Sequence, residues 1–308
     1  IGFLEKMSQV AAAAHAPFIS NAAPQMFNEW ESFTNLNEVR DLSMIFDSPR
    51  YARYLRFRQS EDSRYVALCL PHVLGRLPYG KDTCPTEGFN FEEGVDGRDH
   101  SKYLWGNAAY ALGVRITTAI ALYKWPVAIR GVEGGGLVDD LPVHTFTTDD
   151  GEVTIKCPTE VPITDRREKE FSDLGFIPLV HCKNTPYAAF FGTQTTNLAV
   201  HYNLDTANAN AQLSTGLQYM LAASRFAHYF KAILRDKIGS FMTAKNVEDY
   251  LKTWIKNYVL LDDDASQAMK ASHPLREADV EVVEDPAKPG VYKAVFWLRP
   301  HFQLESIN

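Results

Sequence analysis

The residues best equipped for chemistry fall in a few short stretches. Glu92, Glu93, Asp96, Asp99 and His100 crowd together and offer hard oxygen ligands beside an imidazole. The catalytic reading of that stretch is a metal-dependent enzyme using the acidic loop 92–100. Its spacing is not that of an EF-hand, because the oxygens do not recur at alternate positions with a glutamate at the twelfth. A solvated acidic loop is the simpler reading. Gly134, Gly135 and Gly136 follow an apolar run and invite a phosphate loop. They fit neither GxGxxG nor GxxxxGK[ST], and no helical pattern starts behind them, so they read as a flexible turn.

None of the nine histidines sits in HExxH or in a His/Cys array. No GxSxG nucleophile elbow occurs. His181 and Cys182 are adjacent, but successive strand residues point to opposite faces, so adjacency alone makes no nucleophile and base. Asp165, Arg166, Arg167 and Glu168 open a helix, where capping and local ion pairs explain them. The residues assemble neither an active site nor a cofactor or metal site. A non-catalytic interaction protein is the reading that remains.

The feature that most needs a partner is the stretch 213–241. Phe226, Phe230, Ile233 and Leu234 recur at helical spacing. Arg225, His228, Lys231 and Arg235 fall on the other side of the same wheel as a basic stripe, with Lys237 following. A helix with a solvated charged face and a helix docked on another chain both fit. Gly216 predicts a break, and Gly239 a stop. The second such feature is 291–304. Val291, Val295 and Trp297 alternate with Tyr292, Ala294 and Phe296, so both faces are largely apolar apart from Lys293. A terminal strand of this kind needs cover, or a partner strand from another chain.

Other elements frame these two. Residues 1–20 read as a short amphipathic helix. Residues 36–60 read as two helical pieces, the second starting at Pro49 with Ser48 as its cap. Residues 65–70 read as a buried strand, 78–102 as a long exposed loop, and 103–123 as a helix. Strands are expected at 127–132, 141–146, 176–181 and 187–191, with a turn at 149–151. A helix is expected over 166–174 with Asp165 as its cap, and another over 246–261. The ending is strand 280–284, turn 285–290, strand 291–304. Alternating helices and strands give an α/β class with mixed sheets flanked by helices.

The chain has 308 residues, enough for one large domain or two ordinary ones. Its net charge of −7 argues against a general nucleic-acid binder. No apolar run reaches the roughly 20 residues that span a bilayer, so no membrane insertion is expected. Four widely spaced cysteines without CxxC suit a reducing compartment. The sequence starts at Ile1 without Met and reads as part of a longer chain.

Motifs along the whole length carry a resemblance: 76–80 (RLPYG), 105–110 (WGNAAY), 130–135 (RGVEGG), 157–160 (CPTE), 165–168 (DRRE), 225–229 (RFAHY), 235–241 (RDKIGSF) and 298–305 (LRPHFQLE). In this order they resemble the large subunit of the contractile sheath of bacterial type VI secretion systems, the TssC/VipB family. The chain is also distantly similar to phage tail sheaths, and the sheath of a phage-like contractile particle is the alternative within that likeness. The resemblance implies a structural subunit in the bacterial cytoplasm. It implies an obligate small sheath subunit, further sheath subunits in a helical polymer, and inner tube hexamer rings as partners. It also implies a disassembly ATPase that acts on a region absent from this chain. On this likeness 1–200 form a middle sheath layer, and 201–308 an inner tube-facing domain completed by partner strands. The interface residues it implies are Arg225, His228, Lys231, Arg235, Lys237, Tyr292, Phe296, Arg299 and Phe302. Relatives commonly carry Pro near Gln218, so the break at Gly216 is expected to be softer here. The chain stops before the family's terminal strand.

Overall fold

The computed structural model describes residues 1–308 apart from Asn184, Phe241, Pro286, Pro289, Gly290, Phe302 and 304–308, and apart from the Thr206 side chain. An alanine-rich helix, α1 (Gly2–Ala14), opens the chain and ends at His15 in the left-handed conformation, φ 48°. It therefore stops short of the expected 20. Pro17 disfavours helix at the residue before it, and Phe18–Asn21 become strand β1. Two short helices follow, α2 (Ser43–Phe46) and α3 (Ala52–Arg58), with short 3-10 segments around them. Ser48 is extended before Pro49, but its side chain makes no capping bond.

Strand β2 (Val66–Leu70) is wholly buried, as its unbroken apolar run predicts. It pairs in parallel with β1 on one side and with β8 (Ile177–Pro178) on the other. Between them lie β3 (Val73–Leu74), β4 (Trp105–Gly106), α4 (Ala108–Tyr123), β5 (Leu137–Val138), the hairpin β6 (Thr145–Thr147) and β7 (Val153–Ile155), and α5 (Asp165–Asp173). α4 begins five residues later than the sequence pattern suggests. Residues 105–106 pair with β3 instead, and Asn107 caps the helix through the Ala109 N–H at 2.7 Å. The cap of α5 is Thr164, one residue before Asp165.

The expected strand over 127–132 does not form. Val127 and Ile129 are buried, but Gly131 (φ 71°) turns the chain and donates to the Phe190 carbonyl. The glycine run is not a flexible turn. A Cβ on Gly135 would lie 2.3 Å from the Ala128 carbonyl, and one on Gly136 would lie 2.6 Å from the Phe190 carbonyl. The glycines allow backbone to pack on backbone. β5 then pairs with β10 (Ala188–Ala189), which pairs with β9 (Val180–His181).

The last third is α6 (Asp205–Leu213), α7 (Leu217–Asp236), α8 (Ala244–Lys256), α9 (Gln267–Ser272) and the hairpin β11 (Leu275–Glu284) with β12 (Tyr292–Pro300). The break at Gly216 is a full one. The buried Gln218 accepts a 2.5 Å bond from the Thr193 hydroxyl, fixing the start of α7 to the chain before α6.

Three apolar cores result. The first is aromatic: Phe27 contacts Trp30, Phe33, Phe46, Phe171 and Phe176 at centroid distances of 5.0–5.7 Å. The second lies between α4 and the two three-stranded sheets and takes in Leu217. The third packs Phe226 and Phe230 of α7 against Leu251 and Ile255 of α8, Val280 and Val282 of β11, and Trp125. The α/β class of small sheets with helices is what the sequence predicts, but among the described residues the β1–β2–β8 sheet is wholly parallel and the others wholly antiparallel, so no single sheet is mixed.

Candidate functional site

The site the sequence favours is the outward side of α7 together with the terminal hairpin. Phe226, Ala227 and Phe230 are buried, which fixes the orientation of the helix. Its basic residues then separate into two groups. Arg225 is half-buried against its own fold: its guanidinium lies 5.5 Å from the Trp125 ring and 5.4 Å from Tyr229, and it donates to the Tyr229 hydroxyl at 3.0 Å. His228 bonds the Ala14 carbonyl at the end of α1 through Nε2 at 2.8 Å. Lys237 lies over the Tyr250 ring at 4.6 Å. Lys231 and Arg235 are exposed and form no ion pair among the described residues. The stripe is thus two exposed cations, Lys231 and Arg235, flanked by three basic residues that contact their own chain.

In the hairpin, register decides which side chains face out. Directly paired residues share a face. Val280 opposite Phe296 and Val282 opposite Ala294 point at α7 and α8, and Phe296 contacts Phe230 at 5.1 Å. Glu281 opposite Val295 and Asp279 opposite Trp297 point away, leaving Val295 and Trp297 about half exposed (51% and 53%). Tyr292 and Arg299 are exposed, Tyr292 reaching the Met242 carbonyl at 3.5 Å and Arg299 lying 3.5 Å from Glu277. Phe302 lies outside the described residues. The β11 edge is partly used, because Leu275 bonds the chain at 258–260 and the Val282 N–H donates to the Glu248 carboxylate at 3.0 Å. β12 has no partner strand on its other edge among the described residues.

The acidic loop behaves differently from a metal site. Arg76 holds Glu93 with two nitrogens at 2.8 Å, and the Tyr79 N–H adds a third bond, so the Glu93 carboxyl is lowered to about 2. Glu92 accepts from the Lys81 N–H, Asp96 from the Arg98 N–H, and Asp99 from Ser101. His100 stacks on Trp105 with ring centroids 4.3 Å apart. Each carboxylate therefore serves a local turn. Among the described residues no three His, Cys, Asp or Glu side chains are grouped to hold a metal ion.

Two polar clusters escape sequence reading, since their members are far apart in the chain. Glu160 is buried, accepts from the Phe33 N–H at 3.0 Å and shares a short bond with His72 Nδ1. Burial pushes its carboxyl up, but these bonds prevail and hold it below the usual range. Cys157 Sγ lies 3.5 Å from His181 Nδ1, so the histidine pairs with this thiol rather than with adjacent Cys182.

The sequence model of the EvpB/VC_A0108 tail sheath N-terminal domain matches residues 1–197, and that of the family's tail sheath gpW/gp25-like domain matches 206–308. The chain is a tail sheath protein of this family. The motif resemblance to the TssC/VipB sheath agrees with that membership. The sheath chain is 49% identical over 311 residues to the type VI secretion system sheath protein TssC1 of Pseudomonas aeruginosa, covering 100% of itself and 62% of that relative. Its fold is also that of a chain in the anti-feeding prophage baseplate, with TM-score 0.50 and 11% identity over 99% of this chain and 63% of the other. A chain of an extracellular contractile injection system sheath complex in the contracted state gives TM-score 0.46 at 9% identity, over 96% and 62%. The sheath chain thus spans a little over three-fifths of these proteins. No helix among its described residues is long and apolar enough to cross a membrane.

Proposed function

We propose that this chain is a structural subunit of the contractile sheath of a type VI secretion system, working in the bacterial cytoplasm without catalysis. It pairs with a small sheath subunit, and the pairs stack as a helical polymer around the hexameric rings of an inner tube. Contraction draws on a switch between two packings of the polymer, so interface energy rather than a chemical step performs the work. Residues 1–200 form the middle layer of the sheath and 201–308 the tube-facing domain. The disassembly ATPase acts on a region outside this chain.

The observation that carries this reading is the match to both sheath domain families in order, over 1–197 and 206–308. The surface supports it. The open edge of β12 offers backbone donors and acceptors to a strand from a neighbour, and the outward Val295 and Trp297 give that strand an apolar bed. Tyr110, Val114 and Leu122 form an exposed apolar stripe on α4, at 79%, 52% and 66% exposure, of the kind an assembly covers. Lys231 and Arg235 meet an acidic surface of the tube or of an adjoining sheath subunit.

Co-expression of the full-length chain with a small sheath subunit, followed by electron microscopy, tests the proposal. Cogwheel-like tubules are expected. A soluble, monodisperse monomer would overturn it.

A further inference from the structure

We propose that Cys157 is an activated thiol, poised by His181 as a nucleophile and converted to a sulfenic acid by peroxide-class oxidants. Cys157 follows β7 and opens the CPTE motif, which the sheath function leaves without a role. It is half-buried on the wall of a cavity of about 350 Å³ that it shares with His100, Lys156, Arg98 and Glu160. The thiol is therefore reachable by a small molecule, unlike the fully buried Cys69.

The geometry assigns the protons. His181 Nε2 lies 2.9 Å from the Thr185 carbonyl, which can only accept, so that nitrogen carries a hydrogen. In the neutral ring Nδ1 is then a bare acceptor, and it faces Cys157 Sγ at 3.5 Å. Moving the thiol proton to Nδ1 leaves a thiolate beside an imidazolium. That is the arrangement in which a base activates a sulfur nucleophile, with the Thr185 carbonyl orienting the ring. The Thr159 hydroxyl, 3.2 Å from Sγ and 3.0 Å from the Val161 carbonyl, can turn its one hydrogen to the thiolate. Lys156, on the same cavity wall, adds positive charge. Burial alone would push the Cys157 thiol up, but the His181 and Thr159 bonds outweigh it and the thiol lies below its ordinary value. For His181 burial pulls down, and the bonds to Cys157 and Thr185 raise it. Cys182 has no imidazole partner among the described residues, and burial raises its thiol.

The reaction balances within the site. The thiolate attacks one peroxide oxygen, the O–O bond breaks and an S–O bond forms. Sulfur is oxidised by two electrons and the peroxide reduced. The departing hydroxide takes the Nδ1 proton of His181 and leaves as water.

The test is iodoacetamide labelling of the folded full-length protein from pH 5.5 to 9.5, with Cys157, Cys84 and Cys182 followed separately by peptide mass spectrometry. At pH 6.5 Cys157 is expected to react about tenfold faster than Cys84, which has no imidazole beside it among the described residues. His181→Gln should remove that advantage and leave Cys84 and Cys182 unchanged. Brief hydrogen peroxide treatment followed by dimedone should place the adduct on Cys157. A Cys157 rate that rises with pH in step with Cys84, or the lack of a dimedone adduct at Cys157, overturns the proposal. Both readings use the wild-type protein, so they stand even if His181→Gln does not fold.

Discussion

Trp125 stacks on Phe226 with ring centroids 4.3 Å apart and planes 25° from parallel. Trp125 belongs to the region matched by the N-terminal sheath domain, Phe226 to the region matched by the second. One aromatic pair thus joins two separately recognisable sequences in a single core, which also takes in Tyr258 and Trp254. Trp125→Ala should remove this joint. The expected loss is about 3–5 kcal/mol, in the range for truncating a buried tryptophan. Urea unfolding of the wild type and variant measures it, and a loss under about 1 kcal/mol would show that the two regions are held together elsewhere.

The two groups of basic residues on α7 predict opposite outcomes. Lys231→Glu with Arg235→Glu changes exposed side chains without ion pairs, so stability should shift by no more than about 0.5 kcal/mol. Tubule formation with the small sheath subunit should be lost. Arg225→Ala should instead lower stability, because it uncovers Trp125 and Tyr229. Electron microscopy and thermal melts on the same samples separate the effects. Normal tubules from the double charge reversal would remove the docking role of this face.

The outward face of the hairpin gives a third expectation. Trp297 is half exposed and sits away from the third core. Trp297→Ser should leave monomer unfolding within about 0.5 kcal/mol of wild type and weaken assembly. Phe296→Ser, on the inward face against Phe230, should destabilise the monomer itself. If both variants unfold equally early, the hairpin does not have the two distinct faces described.

Acid should loosen the fold below neutrality. His15, His100, His144 and His301 are all held below their ordinary value, in each case chiefly by burial. Below about pH 6.5 the unfolded chain therefore binds more protons than the folded one, and stability falls as pH falls. His181 is raised and opposes this, adding stability that is present at low pH and lost as pH rises through its folded value. Four groups against one predict a net decline from pH 7 to 5.5, measurable as a falling urea midpoint. His15→Asn keeps a residue that tolerates the left-handed conformation and should flatten the decline.

Glu93 titrates in another window. Held at about 2, its carboxylate keeps the Arg76 clamp above its unfolded value of 4.5, and the clamp is lost only as pH falls toward 2. Arg76→Ala at pH 7 should therefore free loop 78–102 for cleavage by a protease at a rate well above wild type. Unchanged cleavage would mean that the loop is held by its other bonds.

Features set by neighbouring residues were legible in the sequence. Gly216 interrupts a helical period, Asp149, Asp150 and Gly151 make a hairpin turn, and the apolar spacing in 226–234 orients α7; each is decided within a few residues. Two of the misreadings share an origin in distant partners. Residues 127–132 have a strand's apolar composition, but they pair with no strand among the described residues, and Gly131 bonds to Phe190, 59 positions away. Tyr103 to Gly106 continue a helical pattern, yet pairing of Trp105 with Leu74 outweighs it. The Cys157–His181 contact is similar. It arises because the chain after β7 passes beside β9, and only the assembled sheets bring those side chains together.

Helix α7 begins in the second core at Leu217 and ends beyond the third, past Phe230. Twenty residues of helix make a rod about 30 Å long, stiff along its axis because each turn is braced by its own hydrogen bonds. A push at Lys231 and Arg235 cannot be absorbed locally by bending a loop. The rod joins that end to Gln218, which the Thr193 hydroxyl holds, and to Trp125, which stacks on Phe226. Were Lys231 and Arg235 to dock as proposed, the helix would serve as a strut between that surface and the sheets.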